Sequence, residues 1–153
     1  MKSLRDEDFM RLALQEACKA YDKQEVPVGA VLVKDSRVIA SAHNLRETRK
    51  DPTAHAEMLC IKKASAICGT WRLCEASIYC TLEPCAMCAG AIVNARIKRV
   101  VYGAPDPKSG ACESVIQLLD MEALNHSAES SGGVMAEEGL ELLRKFFKTK
   151  RNP

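Results

Sequence analysis

Cys85 and Cys88, in Thr81-Leu82-Glu83-Pro84-Cys85-Ala86-Met87-Cys88-Ala89-Gly90, are spaced to share a metal ion. Pro84 suits the first position of a helix, where its missing N–H costs nothing. Thiols three residues apart then leave one face of that helix's first turn, and the positive end of the helix dipole favours thiolate there. Two thiolates do not close a tetrahedral site. The third ligand expected is His55, in Asp51-Pro52-Thr53-Ala54-His55-Ala56-Glu57. One His and two Cys leave the fourth position of Zn²⁺ open to water, which separates a catalytic site from a structural one. Such an ion makes hydroxide available near neutral pH. Glu57, two residues past His55 and not needed as a ligand, is placed to carry the protons. Its bland alternative is a solvated helix carboxylate. A redox reading of Cys-x-x-Cys leaves Pro84 and His55-Ala56-Glu57 unexplained.

The elements that must position these residues follow from periodicity. Residues 6–22 carry Phe9, Leu12, Ala13, Ala17, Cys18, Ala20 and Tyr21 at helical spacing. Val26 to Val33 is nearly continuous in apolar residues, as a strand buried on both faces would be. Lys34-Asp35-Ser36 turns it back into a hairpin partner, Arg37 to Ala42. The polar stretch 43–52 reads as a loop. Thr53 is the predicted N-cap of a helix that carries His55 and Glu57 to about Ala66. Ala76 to Leu82 reads as a strand feeding a helix from Pro84 to about Ala95, and Arg99 to Ala104 as a further strand. Ser114 to Leu124 is predicted helical, 126–131 a weak fifth strand, and a final helix is expected from about 134 to 151. Strands joined through helices imply parallel pairs in a mixed sheet. Both half-sites follow a sheet-to-helix turn, where α/β folds place ligands.

The chain has 153 residues, 47% hydrophobic and 27% charged, which suits one domain over 1–153 with a proper core. A net charge of +2 leaves any polyanionic partner dependent on a local basic patch. No apolar run approaches the roughly 18 residues of a membrane span, and the N-terminus lacks the apolar core of a signal peptide. A cytoplasmic protein is expected, its eight cysteines reduced or metal-bound. Cys18, Cys60, Cys68 and Cys80 read as small buried hydrophobes, while Cys74 and Cys112 are not placed.

His-x-Glu followed by Pro-Cys-x-x-Cys marks zinc nucleobase deaminases. The sequence resembles the bacterial tRNA adenosine deaminases, which convert the wobble adenosine of an anticodon to inosine. The likeness runs through Glu25-Val26-Pro27-Val28-Gly29-Ala30-Val31, both metal motifs, Arg99-Val100-Val101-Tyr102-Gly103-Ala104-x-Asp106-x-Lys108-x-Gly110-Ala111 and Leu124-Asn125-His126. The zinc motif alone is shared with free-base and nucleotide deaminases; the last two stretches favour the tRNA enzymes. The resemblance implies an α/β, single-domain, three-layer cytidine-deaminase-like fold, with a mixed five-stranded sheet and helices on both faces. It implies one Zn²⁺ per subunit on His55, Cys85 and Cys88, proton transfer by Glu57, a purine held by Asn44, and the Ala56 backbone on the water side. It places Asp106 and Lys108 on one RNA-facing loop and Asn125 and His126 on another. A homodimer is implied, with the partner completing the RNA surface. Without it, Asn44 and Asp106 read equally as turn residues.

The C-terminal run Arg144-Lys145-Phe146-Phe147-Lys148-Thr149-Lys150-Arg151 has five cations in eight residues and no acid. Cations also complement a helix C-terminus in water. The resemblance favours RNA contact by Arg144, Phe146, Phe147, Lys148 and Arg151, through stacking and phosphate pairing with an anticodon stem-loop. The rival functions are a free guanine or cytosine deaminase, which would not need the basic tail, and a non-catalytic RNA-binding protein with structural zinc.

Overall fold

The computed structural model describes residues 4–151. Five strands, β1 (Gly29–Lys34), β2 (Arg37–His43), β3 (Ser77–Leu82), β4 (Arg99–Ala104) and β5 (Glu129–Ser131), form one sheet in the order β2-β1-β3-β4-β5. β1 is antiparallel to β2 and β3, whereas β3–β4 and β4–β5 are parallel, so the sheet is mixed as expected. Alternation along the strands divides the core. Ala30, Leu32, Ile78, Cys80, Val100 and Tyr102 belong to one buried cluster, with residues of α3 (Ala56–Cys68) and α4 (Ala86–Asn94). Val31, Val33, Tyr79 and Val101 join Phe9, Met10 and Ala13 of α1 (Asp6–Asp22) in the second. With both faces covered, the strands are apolar almost throughout, which is why their pattern reads as continuous.

Helix α1 crosses β1 so closely that a Cβ at Gly29 would collide with the backbone of Ala13 and Ala17. Its first turn is fixed by charge. The Arg99 guanidinium donates to both Asp6 carboxylate oxygens at 2.9 and 2.7 Å, and the Tyr79 hydroxyl donates to Asp6 at 2.9 Å. These bonds, Arg99 foremost, hold the Asp6 carboxyl below the usual carboxylate range. A depressed native pKa gives stability that is present above the ordinary carboxylate range and lost as pH falls through the native value. Asp6→Asn is therefore expected to lower Tm at pH 7 by roughly 2–4 °C, for about 1 kcal/mol. The gap to the parent should close in acid; an equal gap at pH 7 and pH 2.5 would show that the pair does not act through charge.

Several expected boundaries shift. The strand predicted from Val26 starts only at Gly29. Pro27 has no ladder donor, and the segment before it is tied by Val28 N–H donating to the Val26 carbonyl. The polar stretch 43–52 contains a short helix, α2 (Arg46–Arg49), because the buried Glu25 carboxylate accepts the N–H groups of Glu47 and Thr48 at 3.0 and 2.6 Å. Thr53 is not the cap of α3: its hydroxyl donates to Asp51, and His55 is the N-cap. Pro84 likewise precedes the N-cap Cys85 instead of opening α4. The helix expected over 114–124 reduces to a 3₁₀ turn at Leu118–Asp120. The last helix, α5 (Ala136–Arg151), starts after Gly133 and Met135, both at positive φ, where a helix cannot run. Of the cysteines expected to be buried, Cys60 and Cys80 are, Cys68 is half-buried, and Cys18 faces solvent on α1. No helix among the described residues is long and apolar enough to cross a membrane.

Candidate active site

Both metal half-sites are helix beginnings. His55 is the N-cap of α3 and Glu57 lies in its first turn; Cys85 is the N-cap of α4 and Cys88 is three residues on. The N–H groups of a first turn have no intrahelical partners, so each start presents donors and a positive dipole end to the same point. Leu59 N–H and Ala89 N–H close the first turns on the carbonyls of His55 and Cys85. The two starts meet so that His55 Nδ1 stands 3.6 Å from both Cys85 Sγ and Cys88 Sγ. All three donor atoms lie within 4.8 Å of one another, a grouping that could hold a metal ion.

The thiols share one proton unequally. Cys85, hydrogen-bonded first by Cys88 and also by His55, is drawn down to about 4. Cys88, fully buried, is pushed far up, the neighbouring Cys85 thiolate being the main cause and burial the second. The Cys85 thiolate in turn raises the His55 pKa. Burial likewise raises Glu57, whose Oε1 is buried without a hydrogen-bond partner among the described residues. An acid buried without a hydrogen-bond partner is costly to the fold, which singles Glu57 out among the residues of the cavity.

His55, Glu57 and Cys85 open into a cavity of about 120 Å³, whose walls also include Asn44, Ala56 and Asp106. Asn44, buried, accepts the Arg46 N–H at 3.1 Å and donates to the Val26 carbonyl at 3.2 Å. It is thus a turn residue and a cavity residue at once. Asp106, half-buried, accepts the N–H groups of Lys108 and Ser109 and the Ser109 hydroxyl. The Lys108 side chain is exposed and does not line the cavity.

The structure does not bring Asn125 and His126 to this cavity. His126 Nε2 donates to the Ile97 carbonyl at 2.7 Å, at the end of β4 opposite to the one that leads into Asp106, and Asn125 is exposed. The C-terminal residues lie beside the cavity. Phe146 is buried edge-on against Tyr21, with ring centroids 6.2 Å apart, while Phe147 is exposed. Phe147, Lys150, Lys23 and Arg46 line a shallow hollow that shares Val26 and Arg46 with the cavity. Arg144, Lys148 and Arg151 are exposed outside it, Arg144 3.9 Å from Glu137. Sequence reading missed Arg46, Ser109 and Glu83 as wall residues. The buried run of strand residues before Glu83 gave its only signal, an acid where an apolar residue was due.

The model of the MafB19-like deaminase family matches residues 4–151. A Bacillus subtilis tRNA-specific adenosine deaminase is 52% identical over 146 residues, covering 95% of this chain and 91% of the relative. The chain belongs to the tRNA-specific adenosine deaminase family. A solved structure from studies of A-to-I editing by tRNA:A34 deaminases superposes on the deaminase with a TM-score of 0.85 at 47% identity, covering 88% of this chain and 98% of that one. A guanine deaminase from Nitrosomonas europaea has a TM-score of 0.81 at 20% identity, covering 95% and 86%, and shares the fold alone. The open mixed sheet with five helices is the cytidine-deaminase-like fold expected of the deaminase.

Proposed function

We propose that the deaminase converts adenosine to inosine hydrolytically at the wobble position of a tRNA anticodon, with residues 1–153 acting as one domain and zinc as its metal. The observation that carries the reading is the buried oxygen of Glu57, without a partner among the described residues, in the wall of the cavity that His55 and Cys85 of the His/Cys/Cys cluster also line. Ligands held at about 2.0 Å (His N) and 2.3 Å (Cys S) by a tetrahedral zinc ion stand about 3.5 Å apart. The 3.6 Å separations of His55 from both thiols fit that requirement. Two thiolates and an imidazole also suit zinc by softness. When bound, zinc supplies the Lewis acidity that makes hydroxide available near neutral pH.

The residues supply the rest. Glu57 takes one proton from the attacking water and gives it to the purine ring nitrogen as the C–O bond forms. It then takes the proton of the added hydroxyl and delivers it to the amine, which leaves as ammonia as the C–N bond breaks and the carbonyl forms. Asn44 keeps one N–H and one acceptor lone pair beyond its two internal bonds, enough to pair with a purine edge. The Ala56 N–H, first in α3, has no hydrogen-bond partner among the described residues and lies on the cavity wall. Asp106 and Lys108 form the rim toward RNA. An anticodon loop presents bases that are already splayed, so extruding the target costs less than flipping it from a duplex. Flanking nucleotides then meet Phe147, Arg46 and Lys150 in the adjoining hollow. We further propose a homodimer: Val115, Ile116, Met121 and Leu124 are exposed apolar residues in the segment leading to Asn125 and His126. A second copy seated there would carry Asn125 and His126 to RNA beside the partner's cavity. A monomer by light scattering at working concentration would remove that interface.

The test is a matched panel: an anticodon stem-loop with wobble adenosine, the same loop with guanosine, and free adenosine, guanine and cytosine. Inosine in the first alone is expected; ammonia from a free base and none from the loop would overturn the substrate. Neutralising Arg144, Lys148, Lys150 and Arg151 together is expected to raise KM for the loop at least tenfold. It should also flatten the salt dependence of binding, by about 0.7 in log–log slope for each phosphate that is no longer neutralised. Unchanged KM and slope would take α5 out of the RNA interface.

A further inference from the structure

The rim of the cavity hangs on one buried carboxylate. Glu83 is 2% exposed and has no cation paired with it among the described residues. Its Oε1 accepts the Asp106 N–H at 3.0 Å and the Ser114 hydroxyl. Its Oε2 accepts the N–H groups of Cys112, Glu113 and Ser114 at 3.1, 2.9 and 3.0 Å. The chain between these donors is wrapped against the turn that carries the metal ligands. Gly110 bridges Cys85 backbone to backbone, Ala111 N–H donates to the Pro84 carbonyl, and Glu83 N–H donates to the Ala104 carbonyl. Gly110 leaves no room for a side chain, since a Cβ there would collide with the Glu83 carboxylate.

An apolar anchor would bury at less cost than a charge without a counter-ion. What the carboxylate adds is direction. Several convergent donors on two oxygens fix the loop in one arrangement, each bond strengthened by the charge. That loop carries Asp106 and Ser109 to the cavity wall, which they share with Asn44 and Arg46. We propose that Glu83 is a positioning residue for the RNA substrate, holding the Asp106–Ser109 rim at a set distance from the metal-ligand turn. The inference rests on the tRNA deaminase reading. It makes the rim preformed, so that the loop RNA meets it without ordering it first.

Glu83→Gln tests this, because a carboxamide keeps one acceptor oxygen and turns its NH₂ toward N–H donors that it cannot satisfy. The variant is expected to keep its zinc, since the carboxylate touches no metal donor. KM for the wobble-adenosine stem-loop should rise at least tenfold while kcat stays within about twofold, as when binding shared by ground and transition states is removed. Gly110→Ala should reproduce that split by displacing the carboxylate, and it carries the test alone if Glu83→Gln does not fold. The double variant should be no worse than the poorer single one, because both break one unit. Ser114→Ala, which removes a single hydroxyl donor, should change KM less than threefold. An unchanged KM, a fall confined to kcat, or loss of zinc from Glu83→Gln would overturn the proposal. A parent enzyme that does not convert the loop would remove the functional reading and this inference with it.

Discussion

Glu57→Ala is expected to bind zinc as the parent does and to lose about 10²–10⁴-fold in kcat, the range a positioned general acid–base supplies. Metal retention follows because the three donor atoms belong to His55, Cys85 and Cys88, and none to Glu57. The loss of turnover follows from the rest of the cavity wall. Apart from the metal ligands, its side chains are amide, hydroxyl, arginine or apolar, together with two other carboxylates, Glu83 and Asp106. Both of those are already engaged by loop N–H groups. The same substitution should not weaken the fold. Oε1 is buried without a partner, and an unsatisfied buried polar atom costs about 1–3 kcal/mol. Removing it offsets much of the small cavity left behind, so Tm should stay level or rise. Zinc content, kcat and Tm on one preparation decide the matter. Near-parental kcat would end the assignment of Glu57, and a lost metal would make it a ligand or support.

Cys88→Ala is expected to empty the site. Cys88 is fully buried in the first turn of α4, and two remaining donors cannot hold a tetrahedral ion against a solution chelator. Zinc content should fall from about one per chain to below a tenth, with turnover undetectable. Binding to the native state alone adds stability that grows with ligand affinity. The parent should therefore lose Tm on chelation, and the variant should show no further loss. His55→Ala should behave alike, since its imidazole is the one donor from the other helix. A Cys88→Ala protein carrying one equivalent of zinc would show that the cluster is not the binding site.

The metal cluster was legible because its spacing is local: a Pro-Cys-x-x-Cys turn and a His-x-Glu turn say which atoms leave each helix start. That the two starts meet is tertiary, and only the demand for a third ligand joined them. Both helix beginnings were displaced by two residues for a shared reason. Thr53 spends its hydroxyl on Asp51, and Pro84 stands outside its helix, so the ligands themselves became the caps. The false helix over 114–124 has a non-local cause. The N–H groups of Cys112, Glu113 and Ser114 are taken by Glu83, some 30 residues away, and no window of periodicity contains that carboxylate. Arg46 escaped notice as a wall residue because its turn is held largely by non-local bonds, to Glu25 from Glu47 and Thr48. The C-terminal aromatics divide, with Phe146 in the core and Phe147 in solvent.

The distribution of sulfur gives the protein an internal gauge. Cys60 and Cys112 are buried and pushed up to about 12, and Cys80 is buried and raised as well. An alkylating reagent needs thiolate and access, so those three are silent while the fold is intact. Cys18 and Cys74 are open at all times and supply a constant background. Cys85, half-exposed with a pKa of about 4, is the thiol most readily present as thiolate whenever nothing coordinates it. The reactive thiol titre of the native protein above that constant background thus counts vacant centres. Oxidants select by the same chemistry, so an ion held by His55, Cys85 and Cys88 would also stand between the deaminase and its first site of sulfur damage.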